Sequence, residues 1–176
     1  MTNWKICVIL NKLLNRKCFV EVMDLKALIF SDSHGRMGNM IEAAEREKDY
    51  DMVMFAGDVH RDIEEFMYVY PRVLVAEVIG NNDFFVKRVP EERVFEFGGK
   101  KILLTHGHKY AVKYSTAQLV AYAKRLGVDI CVYGHTHCRD FERINGITVI
   151  NPGAASRSYG VLTVDGDEIS FEFKEI

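Results

Sequence analysis

Ala27-Leu28-Ile29-Phe30-Ser31-Asp32-Ser33-His34-Gly35 is the stretch from which the fold is read. Four apolar residues in a row mark a buried strand, and the polar, turn-forming Ser-Asp-Ser-His-Gly halts it. Met37, Met40, Ile41 and Ala44 then recur at the three- and four-residue spacing of a helix. The unit repeats with an apolar run over 52–56, the loop Gly57-Asp58-Val59-His60, and a helical stripe of Ile63, Phe66, Met67 and Tyr70 ended by Pro71. A third strand over 73–79 runs into Gly80-Asn81-Asn82-Asp83. Strands alternating with amphipathic helices specify an α/β domain with sheet at its centre.

After Pro90 the pattern changes to a β-hairpin, with strands over 94–97 and 102–104 joined by Gly98-Gly99. Its second strand delivers Thr105-His106-Gly107-His108. Ser115 and Gln118 form a capping-box pattern ahead of Leu119, Val120, Ala123 and Leu126, and Gly127 is placed to end that helix. A strand over 130–133 opens into Gly134-His135-Thr136-His137. Turn signals at Asn145-Gly146 and Asp165-Gly166 between β-rich runs predict a terminal β-meander that includes Asn151-Pro152-Gly153. No repeat or linker divides the chain, so residues 24–176 read as one domain. Residues 1–23 read as an N-terminal extension: Met23 just before the first strand fits an alternative start, and a leader helix packed on the domain fits equally.

With 176 residues, 48% apolar and 27% charged, the chain has the composition of a globular protein. A chain this long buries roughly 70% of its unfolded surface, so it needs no structural metal as a staple. The formal net charge of −2 gives no broad basic field, which argues against extended nucleic-acid binding and leaves a compact phosphorylated substrate open. No apolar run approaches the ~18 residues of a membrane span. The four cysteines, Cys7, Cys18, Cys131 and Cys138, form no CxxC pair, which suits reduced thiols and a cytoplasmic location.

All six histidines, His34, His60, His106, His108, His135 and His137, lie in short segments directly after predicted strands. A lone histidine there is ordinarily structural, but several such loops carrying Asp partners reverse that expectation. Loops at the carboxyl ends of parallel strands gather at one sheet edge. Asp32, His34, Asp58, Asn81, His106, His135 and His137 would therefore converge. Two carboxylates, one amide oxygen and four imidazoles suit Mn²⁺, Fe²⁺, Zn²⁺ or Co²⁺. Seven donors exceed one tetrahedral site and suffice for two cations if one Asp bridges. Such a pair, roughly 3.5–4 Å apart, would hold a bridging hydroxide that attacks phosphorus.

In order and spacing, Asp32-Ser33-His34, Gly57-Asp58, Gly80-Asn81-Asn82-Asp83, His106-Gly107-His108 and Gly134-His135-Thr136-His137 resemble the calcineurin-like metallophosphoesterase superfamily, and within it the small YfcE-type phosphodiesterases. The resemblance implies a four-layer α-β-β-α sandwich and hydrolysis of phosphodiesters or nucleotide-like substrates with two divalent cations, Mn²⁺ first and Fe²⁺, Zn²⁺, Co²⁺ or Ni²⁺ as alternatives. It implies Asp32, His34, Asp58 and His137 on one cation, and Asp58, Asn81, His106 and His135 on the other, with Asp58 shared.

One departure from the family pattern is Asn82, where many members carry a histidine that protonates the leaving group or grips phosphate. An asparagine cannot act as a general acid, so Asn82 is expected to donate a hydrogen bond to a phosphate oxygen. His108 is the nearest replacement acid or phosphate binder, a structural turn residue being the alternative. Asp83 is expected to orient a histidine, and His60 to face solvent. Arg36 and Arg61 read as surface, and Arg157 as a phosphate contact through its closeness to Asn151-Pro152-Gly153. The same fold also serves as a non-catalytic scaffold, the retromer subunit of membrane trafficking, in which the metal site is degraded. Here the donor set is complete. The loop over 84–89 and neighbouring subunits of a homo-oligomer would set specificity.

Overall fold

The computed structural model describes residues 24–176; the 1–23 extension, with Cys7 and Cys18, lies outside the described residues. Along the chain run β1 (Leu25–Phe30), α1 (Met37–Glu47), β2 (Met52–Phe55), α2 (His60–Val69), β3 (Leu74–Glu77), β4 (Glu92–Phe97) and β5 (Lys100–Thr105). A 3₁₀ turn (His108–Tyr110), α3 (Ala117–Leu126), β6 (Ile130–Val132), β7 (Arg139–Ile144), β8 (Ile147–Pro152), β9 (Ser158–Asp165) and β10 (Glu168–Glu175) follow. They make two five-stranded sheets, ordered β10-β9-β1-β2-β3 and β4-β5-β6-β8-β7. In the first, β1, β2 and β3 are parallel; in the second, β5, β6 and β8 are.

Side-chain alternation sorts the core into layers. Ala27 and Ile29 of β1, with Met54 of β2, face the second sheet's Ile102, Leu104, Ile130, Val132 and Ile150. Leu28, Phe30, Val53 and Phe55 point the other way, onto Met40 and Ala44 of α1 and Ile63 and Phe66 of α2. Leu103, Cys131 and Val149 cover the opposite outer face with Leu119, Val120 and Ala123 of α3. Strands buried on both faces need unbroken apolar runs, which is why these segments do not alternate with polar residues. The four-layer α-β-β-α sandwich is thereby present. Among the described residues, no helix is long and apolar enough to cross a membrane.

Two local expectations are corrected. The C-terminal strands are not one meander, because β7-β8 belongs to the second sheet and β9-β10 to the first. The chain crosses between sheets after Gly153, whose φ of +81° favours glycine, and the Ala155 N–H anchors the crossing on the Ser31 carbonyl at 2.9 Å. Turn residues report local pairing and carry no signal of which sheet a hairpin joins. The Ser115–Gln118 capping box does not form either. Thr116 stands at the N-cap, and the Ser115 hydroxyl accepts from the Ala117 N–H at 3.1 Å with no reciprocal bond from Gln118. Gly127 does close α3, at φ +62°.

Candidate metal centre

Asp32 and His34 follow β1, Asp58 follows β2 and Asn81 follows β3, while His106 follows β5 and His135 and His137 follow β6. All are carboxyl ends of parallel strands, and they meet at one edge of the sandwich. The His106 Nε2 lies 3.1 Å from Asn81 Oδ1, 3.2 Å from His135 Nδ1, 3.5 Å from Asp58 Oδ1 and 3.9 Å from Asp32 Oδ1. His34 and His137 bring their Nε2 atoms within 3.3 Å of each other, and His137 Nε2 is 3.2 Å from Asp32 Oδ1. Two overlapping donor groups result, Asp32 with His34 and His137, and Asp32 with Asp58 and His106. Asp32 belongs to both, whereas the resemblance makes Asp58 the shared ligand.

The loops hold this geometry under strain. Asp32, His34, Asp58, His135 and His137 all have positive φ, between 44° and 68°, a region non-glycine residues seldom occupy. Close approach fixes two glycines as well. A Cβ on Gly80 would sit 2.0 Å from Asp58 Oδ1, and one on Gly134 would sit 1.9 Å from the Ser31 hydroxyl.

The donor chemistry fits divalent cations. His106 Nδ1 donates to the Ala56 carbonyl at 2.7 Å, so a neutral His106 presents a bare Nε2 to three oxygens and a nitrogen. Acceptors converging on acceptors are matched by a cation among them. Asp32 Oδ2 is held by the Ser31 hydroxyl at 2.7 Å and the His135 N–H at 3.0 Å, while its buried Oδ1 has no hydrogen-bond partner. Burial above all, then the neighbouring His106 and Lys113, push His135 down to about 4, which keeps it neutral and ligand-competent near pH 7.

The supporting residues depart from expectation in three places. Asp83 orients no histidine; its carboxylate accepts from the backbone N–H groups of Val59, His60 and Gly80, at 3.1, 2.8 and 2.8 Å. Three amides outcompete one distant imidazole for it. His60 does not face solvent but opens α2 partly buried, its Nδ1 2.9 Å from Glu77 Oε2. Asn82 spends its side chain on Asp58: Nδ2 donates to Oδ2 at 2.7 Å and the backbone N–H to Oδ1 at 3.0 Å. A carboxylate is the strongest acceptor within its reach.

His108 joins the cluster, its ring centroid 5.5 Å from that of His106 and its buried Nδ1 without a partner; burial first and then His106 lower its pKa. Arg36 is exposed and Arg61 pairs with Glu65, as surface residues should. Arg157 lines a cavity of about 660 Å³ with His137 and Arg139. Sequence reading missed Asn151 as a positioning residue. Buried, it donates to the Gly134 carbonyl and the Thr136 hydroxyl and accepts from the Gly153 N–H, so it shapes the histidine loop. The Asn-Pro-Gly triplet was its signal.

The profile of the calcineurin-like phosphoesterase superfamily domain matches residues 25–167. The chain belongs to that superfamily. A probable metallophosphoesterase of Bacillus subtilis, YsnB, is 30% identical over 157 residues, covering 85% of this chain and 90% of the relative. The phosphodiesterase MJ0936 of Methanocaldococcus jannaschii is 30% identical over 146 residues, covering 73% and 83%. A predicted phosphoesterase of Streptococcus pneumoniae superposes with a TM-score of 0.74 at 27% identity, over 87% of this chain and 90% of that one. Vps29 of Cryptosporidium parvum shares the fold, with a TM-score of 0.69 at 21% identity over 87% and 98%. As a member of the phosphoesterase superfamily the chain is a phosphoesterase-type hydrolase, and the family's use of divalent metals accords with the donor cluster.

Proposed function

We propose that this protein is a dinuclear metal-dependent phosphodiesterase. The observation that carries the reading is the convergence of two carboxylates, an amide and four imidazoles on one strained edge, with a buried Asp32 oxygen that accepts no hydrogen bond. Asp32, His34, Asp58 and His137 would hold one cation and Asp58, Asn81, His106 and His135 the second. The donor mixture suits Mn²⁺, Fe²⁺, Zn²⁺ or Co²⁺, and the family resemblance puts Mn²⁺ first, with Ni²⁺ a further alternative. Cations in such a pair supply water activation at neutral pH and neutralise charge on the phosphoryl oxygens.

The chain's own groups do the positioning. The Ala56 carbonyl fixes the His106 tautomer so that Nε2 faces the centre. The Ser31 hydroxyl and the His135 N–H occupy one Asp32 oxygen and leave the other free. Asn82 clasps Asp58 and sets its orientation, and it supplies no proton. His108, its pKa lowered, stands beside the cluster as a neutral imidazole whose N–H can meet a phosphoryl or leaving oxygen. A site without a strong acid favours diesters whose leaving group departs as its anion. The 30% identity to an archaeal protein that is named a phosphodiesterase supports the same substrate class. The complete donor set weighs against a purely scaffolding role.

Metal-stripped protein given Mn²⁺, Fe²⁺, Zn²⁺, Co²⁺ or Ni²⁺ in turn, and assayed on an aryl diester, an alkyl diester and an aryl monoester, tests the reading. Aryl diester hydrolysis at two bound equivalents is expected. No turnover with any cation would return the chain to the scaffold reading.

A further inference from the structure

Every donor at the centre is polar, so the centre itself offers nothing that distinguishes one ester's organic group from another's. The loops that carry it do. Phe85, Tyr114 and Phe84 are 96, 94 and 80% exposed, more than any other large apolar side chain among the described residues. Phe84 and Phe85 follow Asn82 by two and three residues, so at about 3.3–3.6 Å per residue the Phe85 backbone lies within roughly 11 Å of the Asn82 backbone.

Tyr114 ends the compact loop that begins with His108, a loop held by bonds from the Tyr110 N–H to the Gly107 carbonyl and from the Tyr114 N–H to the Ala111 carbonyl. Val112 packs back against the start of that loop, its side chain 3.0 Å from where a Cβ on Gly107 would lie. The two loops converge, since Asn81 touches His106 and His106 packs beside His108. The other strongly exposed apolar residues, Tyr68, Val69, Leu74 and Val94, sit on α2, β3 and β4, and Phe141 stacks on Phe171.

We infer that Phe84, Phe85 and Tyr114 form an aromatic rim that stacks on an aryl or nucleobase group retained on the phosphodiester. The inference rests on the phosphodiesterase reading. Stacking is tolerant of base identity because every base has a π-face. Three large aromatic side chains exposed on the loops that carry the centre offer a surface that a flat apolar group on the substrate would cover.

Two diesters with the same p-nitrophenolate leaving group, one retaining methyl and one retaining phenyl, isolate the retained group. The readout is the ratio of kcat/KM for phenyl over methyl, which should fall about tenfold, equivalent to ~1.4 kcal/mol, in the variant Phe84→Ser/Phe85→Ser/Tyr114→Ser relative to the unmodified chain. The same ratio should be retained in Leu74→Ser, whose side chain is exposed at the start of β3, the end of that strand opposite to the one that leads into Asn81. These side chains are largely in water, so the variants should keep the melting temperature.

Calorimetry of Mn²⁺-loaded protein with phenylphosphonate and methylphosphonate gives a second readout that needs no turnover. A preference for phenylphosphonate that disappears in the triple variant supports the rim. Equal affinity for the two phosphonates, binding of neither, or an unchanged kcat/KM ratio overturns it, whether or not the triple variant changes oligomeric state. If neither diester is hydrolysed while phenylphosphonate is still preferred through these residues, the rim stands and the phosphodiesterase reading falls.

Discussion

Gly80→Ala changes no donor and no charge, yet should disable the centre. The added Cβ would lie 2.0 Å from Asp58 Oδ1 and 2.6 Å from the Asp58 backbone nitrogen, against an ordinary contact of at least 3.4 Å. Relief requires the carboxylate oxygen to move by about 1.4 Å and the backbone at the end of β2 by about 0.8 Å, each the difference of those two distances. A side-chain rotation relieves only the first. Displacing a positioned group by 1 Å costs on the order of 10²-fold in rate, so kcat/KM on an aryl diester should drop by about that factor or more. Bound metal should fall with it. Elemental analysis of Mn²⁺-loaded protein, together with the rate and the melting temperature of the metal-free chain, separates a displaced ligand from a misfolded domain. Gly80→Ala with full metal content and full rate would refute the assignment of Asp58 to the centre.

Asp58→Asn should release both cations and His137→Ala chiefly one, read as equivalents per chain; if Asp32→Asn is the variant that empties both sites, Asp32 is the shared carboxylate and the ligand division is wrong. Asn82→His should raise hydrolysis of alkyl diesters more than aryl ones, since poor leaving groups gain most from an acid. If His108→Ala selectively slows alkyl diesters, His108 already supplies that proton. Asn151→Ala removes three hydrogen bonds inside the core of the loop and should destabilise the fold by about 1–3 kcal/mol for each polar group left buried and unpaired, measured by urea unfolding. His135, lowered to about 4 from 6.5, is neutral when folded and protonated when unfolded between those values, so it makes metal-free stability fall as pH drops from about 6.5 toward 4. His135→Asn should flatten that slope in urea midpoints taken at pH 4.5 and 7.

The parts of this fold legible in sequence are those whose signal is local and periodic. The apolar run of β1 and the stripes of α1 and α2 could be read because burial on both faces of a strand, or on one face of a helix, leaves a direct imprint on residue order. The residues proposed as ligands share a related local mark, since each follows a strand in a short polar segment. What failed depended on distant partners. Nothing in residues 139–175 says that β7-β8 and β9-β10 pair in different sheets, because that choice is made by Ala155 docking on Ser31. Asp83 looked like a histidine partner because its neighbours are ligand-like, but the turn at Gly80 and the start of α2 aim three N–H groups at it. Asn82 carries an amide that sequence directs toward phosphate and that the fold directs onto Asp58.

The division of donors between the sheets makes the geometry of the centre depend on how the two sheets are held together. Asp32, His34, Asp58 and Asn81 come from the first sheet and the other three histidines from the second, so any sliding of one sheet on the other would scatter them. Three hydrogen bonds cross at this edge to prevent it: His106 Nδ1 to the Ala56 carbonyl, the His135 N–H to Asp32 Oδ2, and the Ala155 N–H to the Ser31 carbonyl. Between the sheets, the apolar layer from Ala27 to Leu162 fixes their spacing. The fold carries the cost of positive φ at five of the proposed ligands and of two carboxylates buried beside one imidazole. In the proposed centre, cation binding would offset that strain rather than order loops, and supporting groups would set the geometry as firmly as the ligands.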